Sequence, residues 1–297
     1  MRLITGTLIL LGIGLMDITA CVSIQSRQLP ILSSYHDYNK ILSEQELLDL
    51  AQKITVKVIT EEAGGSGIII KKTNNSYFVL TNNHVLQNSS KYKIKTQDGQ
   101  IHSAEIVKKI GFSKNDLALL QFSSKSSYKV ATLAKSANIE VGDSIIAVGY
   151  PFQEDRSKLE KLKFTIGKIS IVNEKILDGG YQIGYTNEVE KGMSGGAVIN
   201  FRGEVIGING MHAYPIFGDP YIYTDNTKPC KPMHELMVES SWAIPIETFK
   251  KLAISLYDDI KDKPLPESLR VSNLNEIPYQ VLQMRSRADS AKRCTVK

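Results

Sequence analysis

The chain has 297 residues, of which 42% are hydrophobic and 23% charged, a composition that suits a soluble protein with a substantial core. Its formal net charge is +5, and much of the basic excess lies after Pro264. The positive charge forms no basic stripe and accompanies no nucleic-acid-binding module, so we expect no nucleic acid among the partners.

Residues 1–20 predict a signal peptide. A short positive start at Arg2 precedes an uncharged, mostly apolar run over residues 3–16. That run is too short to span a bilayer as a helix but suits a signal-peptide core. The string ITAC at 18–21 then resembles the lipobox of bacterial lipoproteins, which makes Cys21 a candidate for lipidation. We therefore expect an exported protein (periplasmic, secreted or lipid-anchored at the cell envelope) that meets a membrane only through this anchor.

A polar spacer and a short helix are predicted for residues 21–51. Ser43 and Glu46 have the spacing of a capping box, and apolar residues follow them directly. We expect this helix to end near Lys53 and the main domain to begin at about residue 52.

From Ile54 to Trp242 the chain consists mainly of short β-branched runs, interrupted by Gly, Asn, Asp and Ser. The runs fall into two groups, at 54–60, 67–72, 77–81, 91–96, 104–110 and 117–122, and at 144–150, 164–172, 180–186, 196–200 and 204–210. No helical pattern separates them, which disfavours a parallel sheet with crossover helices. The pattern predicts a mainly all-β fold of two six-stranded antiparallel barrels, roughly at 52–133 and 140–262.

The pattern changes at the end of the second barrel. Apolar residues from Pro245 to Ile260 recur at helical spacing and predict a C-terminal helix. Residues 263–297 have little periodicity, and we expect them to form a flexible tail.

The three cysteines, at positions 21, 230 and 294, are too few for a dense disulfide framework. Cys230 and His234 have a spacing that suits a metal, but no second pair of ligands accompanies them. We expect neither a metal nor a cofactor.

Three short segments carry the residue types of nucleophilic catalysis. His84 lies in TNNHV, Asp116 in NDLALL, and Ser194 in KGMSGGAV. A serine hydroxyl needs an adjacent base to act as a nucleophile, and histidine titrates in the range that suits this base. A buried carboxylate fixes the histidine tautomer. The glycines around Ser194 would let the N–H groups of Gly192 and Ser194 bind an oxyanion.

The order of these residues favours one arrangement over another. All three lie at the edges of predicted strands, in the order His, Asp, Ser, which is the chymotrypsin-like order. The string GMSGG at 192–196 also fits a nucleophile elbow, with Asp219 or Asp225 and then His234 downstream. An elbow lies between a strand and a helix, whereas residues 196–200 have the pattern of a strand. The sequence thus predicts a chymotrypsin-like double barrel over residues 52–262.

The strings TNNHV, NDLALL and GMSGGAVIN resemble those of trypsin-like bacterial serine peptidases, especially the protease domain of the HtrA (Deg) family. The string GGSGI at 64–68 is similar to the strand that leads to the catalytic histidine there. The resemblance covers roughly residues 52–260 and implies a serine endopeptidase that acts on proteins or peptides through an acyl-enzyme. It implies His84 as general base, Asp116 as its orienting group and Ser194 as nucleophile. Gly192 and Ser194 would form the oxyanion hole.

Two departures accompany this resemblance. Too few residues follow the predicted C-terminal helix for a PDZ domain, so we expect none. Residues 211–241 form an insertion that is longer than the strand connections of that family.

The resemblance also suggests a specificity residue. Glu188 lies six places before Ser194, where trypsin-like enzymes have the floor of the primary specificity pocket. A partly desolvated carboxylate there would favour Lys or Arg side chains in substrates. The alternative is that the loop has another shape and that Glu188 points into solvent.

An alternative to an enzyme is a catalytically silent lipoprotein that binds peptides on a protease fold. Inactive relatives commonly lack one triad member, and here all three residue types are present. This completeness favours the peptidase.

Overall fold

The computed structural model describes residues 40–254, apart from residues 63, 109, 136–137, 154–160 and 216–217. The predicted signal peptide, the candidate lipidation site Cys21 and the predicted tail lie outside the described residues. In the described part of the chain, no helix is long and apolar enough to cross a membrane.

Helix α1 (Glu44–Ile54) begins at the capping box that the sequence predicts. Ser43 Oγ accepts a hydrogen bond from the Glu46 backbone N–H at 3.3 Å, and the Glu46 carboxylate accepts one from the Ser43 N–H at 2.8 Å. These bonds satisfy two of the backbone donors that a helix leaves open at its start. The buried side of the helix is apolar and consists of Leu47, Ala51 and Ile54.

The first barrel is a closed antiparallel sheet. Its strands are β1 (Thr55–Ile59), β2 (Gly64–Thr73), β3 (Ser76–Thr81), β4 (Tyr92–Lys95), β5 (Ile101–Ile106) and β6 (Ala118–Ser123). They pair in the order β1-β2-β3-β6-β5-β4, and β4 pairs with β1 to close the barrel. The turn between β4 and β5 contains Gly99 at φ 80°, a conformation that favours glycine.

The second barrel closes in the same way. Its sheet contains β7 (Thr132–Leu133), β8 (Ser144–Gly149), β9 (Lys163–Val172), β10 (Ile183–Tyr185), β11 (Ala197–Asn200), β12 (Glu204–Met211) and β13 (Ser241–Pro245). The order is β11-β8-β9-β10-β13-β12, and pairing of β11 with β12 closes six strands into a barrel. The short β7 adds to β12 in parallel. Two closed six-stranded antiparallel barrels confirm the predicted chymotrypsin-like fold class.

Helices flank the last strand of the second barrel. Helix α2 (Lys231–Val238) lies in the insertion at 211–241 and was not predicted. It packs on the barrel, where the indole N–H of Trp242 donates to the carbonyl oxygen of Met237 at 3.1 Å. Helix α3 (Ile246–Leu252) follows β13 directly, and the part of the predicted C-terminal helix beyond residue 254 lies outside the described residues.

The two barrels share a packed interface. Ile68, Ile70, Leu80 and Leu119 of the first barrel belong to the same cluster of buried apolar residues as the core of the second barrel. Burial of this shared surface fixes the barrels against each other, so residues at their common edge are held in a defined geometry.

Candidate active site

His84 and Asp116 are brought together by neighbouring strands of the first barrel. His84 opens a 3₁₀ turn just after β3, and Asp116 lies two residues before β6, which pairs with β3. His84 Nδ1 lies 2.6 Å from Asp116 Oδ2, and the His84 backbone N–H donates to Asp116 Oδ1 at 2.8 Å. The carboxylate therefore holds both the ring and the backbone of the histidine. In the described residues, Nε2 is the ring nitrogen without a hydrogen-bond partner.

Asp116 is itself held from both barrels. Asn82 Nδ2 donates to the Asp116 carbonyl oxygen at 2.8 Å, and the Asp116 N–H donates to Gly179 O, also at 2.8 Å. From the second barrel, the Tyr181 hydroxyl donates to Asp116 Oδ2 at 2.5 Å. The Asp116 side chain is only 17% exposed, against 40% for His84, so the carboxylate lies behind the imidazole.

The loop that carries Ser194 comes from the second barrel, just before β11. Gly192 has φ 93° and Gly195 has φ 84°, both in the region that favours glycine. A Cβ atom at Gly192 would lie 2.5 Å from Phe152 N, and one at Gly195 would collide with the Ser66 carbonyl oxygen. The glycines that flank Ser194 are thus required by both conformation and space.

Ser66 of β2 fastens this loop to the first barrel. Its backbone N–H donates to Ser194 O at 2.8 Å, and its hydroxyl donates to Gly192 O at 2.9 Å. The same hydroxyl accepts from the Tyr150 N–H at 2.7 Å. Ser66 is fully buried, so these bonds are shielded from competition with water.

Two backbone donors of the Ser194 loop remain open. The N–H groups of Met193 and Gly195 donate to the carbonyl oxygens of Glu190 and Asn209, respectively. The N–H groups of Gly192 and Ser194 have no acceptor among the described residues. Both residues border the cleft, so the two donors suit an oxygen that becomes negatively charged there.

Ser194 and His84 border the same cleft, which has a volume of about 600 Å³. The Ser194 hydroxyl donates to the carbonyl oxygen of Gly210 at 3.2 Å. Within the described residues it makes no hydrogen bond with His84. The structure thus joins His84 to Asp116 directly, and brings Ser194 to the same cleft with its hydroxyl turned to another acceptor.

Glu188 lies apart from this cleft. Its side chain is 76% exposed, and its carboxylate lies 3.2 Å from Lys163 Nζ, which also contacts Glu190. The two glutamates, partly opposed by burial, raise the pKa of Lys163. This geometry matches the solvent-facing alternative, and the role of Glu188 in specificity stays a prediction.

The residues of the nucleophile-elbow alternative are also outside the cleft. His234 Nε2 lies 3.1 Å from Asp219 Oδ1, but neither residue borders the cleft of Ser194. Ser194 is followed by strand β11 rather than by a helix. The context that an elbow requires is therefore not found.

No group of three or more His, Cys, Asp or Glu side chains that could hold a metal ion occurs among residues 40–254 with the gaps given above.

Two residues that contact the candidate site were missed in the sequence. Ser66 lies in the string GGSGI, whose resemblance to a strand before the catalytic histidine was a usable signal. Tyr181 offered none, because a tyrosine beside glycines has the pattern of an ordinary turn or strand edge.

Comparison with known proteins shows which class of protein this fold and cleft resemble. Residues 65–208 match the family model of the trypsin-like peptidase domain. The chain also resembles in fold the crystal structure of the serine endoprotease from Yersinia pestis, with a TM-score of 0.53 and 21% identity, covering 73% of this chain and 68% of that one. Residues 65–208 are therefore similar to a trypsin-like peptidase domain.

Individual relatives indicate which group of trypsin-like peptidases this domain resembles. The serine protease Do-like HtrA of Bacillus subtilis is 34% identical over 155 residues, which is 51% of this chain and 34% of that protein. The periplasmic pH-dependent serine endoprotease DegQ of Escherichia coli is 34% identical over 148 residues, which is 50% of this chain and 31% of that protein. The domain is HtrA/Deg-like, and the predicted resemblance is confirmed. The chain spans about a third of the length of these relatives.

Proposed function

We propose that this protein is a serine endopeptidase that hydrolyses peptide bonds in proteins or peptides through a triad of His84, Asp116 and Ser194. The observation that carries the proposal is the meeting of the His84–Asp116 pair and the Ser194 loop at one cleft between two barrels. The relatives, which are named serine proteases, support the same chemistry.

In this mechanism Ser194 Oγ attacks the carbonyl carbon of the scissile bond while His84 Nε2 takes its proton. Asp116 holds the Nδ1–H side of the ring and stabilises the imidazolium that forms. The N–H groups of Gly192 and Ser194 bind the oxyanion of the tetrahedral intermediate. His84 then gives the proton to the leaving amine, and water hydrolyses the acyl-enzyme by the same steps.

The second candidate is a catalytically silent protein that binds peptides in the same cleft. One observation favours it, namely that the Ser194 hydroxyl donates to Gly210 rather than to His84. The peptidase requires rotation of this hydroxyl towards Nε2. Such catalytic contacts commonly form only when substrate binds, so the peptidase remains the better supported function.

Labelling with a fluorophosphonate probe separates the two candidates. We expect the wild-type protein to be labelled and Ser194→Ala to remain unlabelled, because the probe reacts with an activated serine. Mass spectrometry of the labelled peptide identifies the residue. Ser170→Ala is a matched control, since it removes a buried serine hydroxyl that contacts Ser240 at 2.7 Å, away from the cleft.

The two candidates give different outcomes. Equal labelling of Ser194→Ala and wild type would contradict the assignment of the nucleophile. A folded wild-type protein that resists the probe but binds peptides would favour the silent candidate.

We also propose that the protein is exported and anchored through lipid on Cys21. Relatives named as periplasmic support export, and the lipobox-like string supports the anchor. Cys21→Ser should release the protein from the membrane fraction to the soluble one, because the acyl chains attach to this thiol. Immunoblots of the two fractions measure this. Unchanged membrane association of the variant would rule out the anchor.

A further inference from the structure

Tyr181 contacts the carboxylate of the proposed triad from the other barrel. It ends a turn at residues 177–181, in which Leu177 and Tyr181 share a backbone hydrogen bond of 3.0 Å. Its hydroxyl donates to Asp116 Oδ2 at 2.5 Å, on the oxygen that also faces His84 Nδ1 at 2.6 Å. The Oδ2 atom of Asp116 is thus shared between the imidazole of His84 and the phenol of Tyr181.

Close packing fixes the position of this phenol. Tyr181 is 4% exposed, and a Cβ atom at Gly179 would lie 2.8 Å from its ring. A Cβ atom at Gly210 would collide with its hydroxyl. The ring therefore fits between two glycine backbones. Gly179 also accepts the Asp116 N–H, and Gly210 accepts the Ser194 hydroxyl.

A short hydrogen bond to a charged acceptor has two effects here. It restrains rotation of the carboxylate, whose Oδ1 is already bound to the His84 backbone N–H. It also withdraws charge from Oδ2, which weakens the attraction of that oxygen for a protonated imidazole. Both effects act on the group that orients the proposed general base.

We propose that Tyr181 is a positioning residue of the triad, which holds Asp116 in the plane of the His84 ring and lowers the proton affinity of His84 by sharing Oδ2. This inference rests on the proposed function. It adds a residue from the second barrel to a pair that the first barrel supplies.

The protonation state of Tyr181 agrees with this role. Burial and the neighbouring Asp116 charge raise the pKa of the Tyr181 hydroxyl well above its ordinary value. The phenol therefore keeps its proton at neutral pH and remains a donor.

The test is the pH profile of kcat/KM for Tyr181→Phe on a chromogenic peptide that the wild type cleaves. We expect the plateau to fall about tenfold, as for loss of a hydrogen bond to a charged group. We also expect the acid limb to move to higher pH by roughly 0.5–1 unit, because a less neutralised Asp116 favours protonated His84. A merely structural role would lower the plateau and leave the limb in place.

Other charged groups must be constant in this comparison. Glu62, Lys191 and His212 border the cleft with His84, and Asp116 and Tyr181 lie behind it. The substitution leaves the first three unchanged, so a difference between the two profiles reports the Tyr181 hydroxyl.

Tyr185→Phe is the matched control. It removes a buried phenol hydroxyl four residues away, which donates to Asn209 Oδ1 at 2.6 Å and does not touch Asp116. We expect this variant to keep the wild-type acid limb, whatever its stability. A shift of equal size in both variants would overturn the proposal.

Incorporation of 3-fluorotyrosine at position 181 covers the case in which the phenylalanine variant does not fold. A more acidic phenol is a stronger donor, so the acid limb should move to lower pH. An unchanged limb in either Tyr181 variant would overturn the proposal. If the wild type itself cleaves nothing and resists the fluorophosphonate, the proposed function fails instead.

Discussion

Replacement of Ser194 or His84 by alanine is expected to lower kcat by on the order of 10⁵–10⁶-fold, and the double replacement should lower it no further. The reason is that the hydroxyl and the imidazole act in one step, so loss of either abolishes the same route. The proposed oxyanion donors of Gly192 and Ser194 are backbone groups and survive both substitutions, so a residual rate above that of the uncatalysed hydrolysis should remain. Single-turnover kinetics on a chromogenic peptide measures the effect.

His212→Ala is the control for the histidine. His212 also borders the cleft, but its Nδ1 lies 2.8 Å from the carbonyl oxygen of Ala213, and it has no carboxylate partner among the residues that the structure describes. We expect a change of less than about tenfold in kcat, as for a residue outside the proton-transfer step. A double variant of Ser194 and His84 that lost the product of the two single effects would show that they act independently.

The strands of both barrels could be predicted because their signals are local. Short β-branched runs between glycines and polar residues coincide with most strands, including the complete set of the first barrel. Strand β13 (Ser241–Pro245) was missed because it has five residues between two helices and a proline at its end. Its place in the sheet, where it pairs with β10 on one side and β12 on the other, shows it to be a strand.

The residues of the candidate site also differ in whether the local sequence reveals them. His84, Asp116 and Ser194 could be found because each lies in a short string of characteristic residues. Tyr181 could not, because its contact with Asp116 joins residues 65 positions apart, one in each barrel. No property of the local sequence reports such a contact.

For Glu188, the position in the sequence does not determine the direction of the side chain. Its position relative to Ser194 suggested a pocket floor, but the direction of a side chain in a loop depends on its neighbours. Lys163, at the start of β9, contacts the carboxylates of both Glu188 and Glu190 at the surface. Lys163 lies 25 residues before Glu188 in the chain. The spacing between Glu188 and Ser194 therefore carries no information about this contact.

Asp116→Asn is expected to lower kcat by about 10⁴-fold while leaving the fold intact. Asp116 Oδ1 accepts the His84 backbone N–H, a donor that cannot change, so the amide oxygen of asparagine should take this position. The amide nitrogen then faces His84 Nδ1 and the Tyr181 hydroxyl. The hydroxyl can rotate and accept, but the imidazole must move its proton to Nε2. In that tautomer the ring cannot accept the proton of Ser194.

Two measurements check this reasoning, namely kcat on a chromogenic peptide and the ¹⁵N chemical shifts of the His84 ring, which report the tautomer. Asp219→Asn is the matched control, because Asp219 also pairs with a histidine, at 3.1 Å, but outside the cleft. We expect this control to retain wild-type kcat. The reverse result, with Asp219→Asn inactive and Asp116→Asn active, would mean that the acid and base follow Ser194 in the chain. That order would contradict the triad, and the assignment of His84 would fall with that of Asp116.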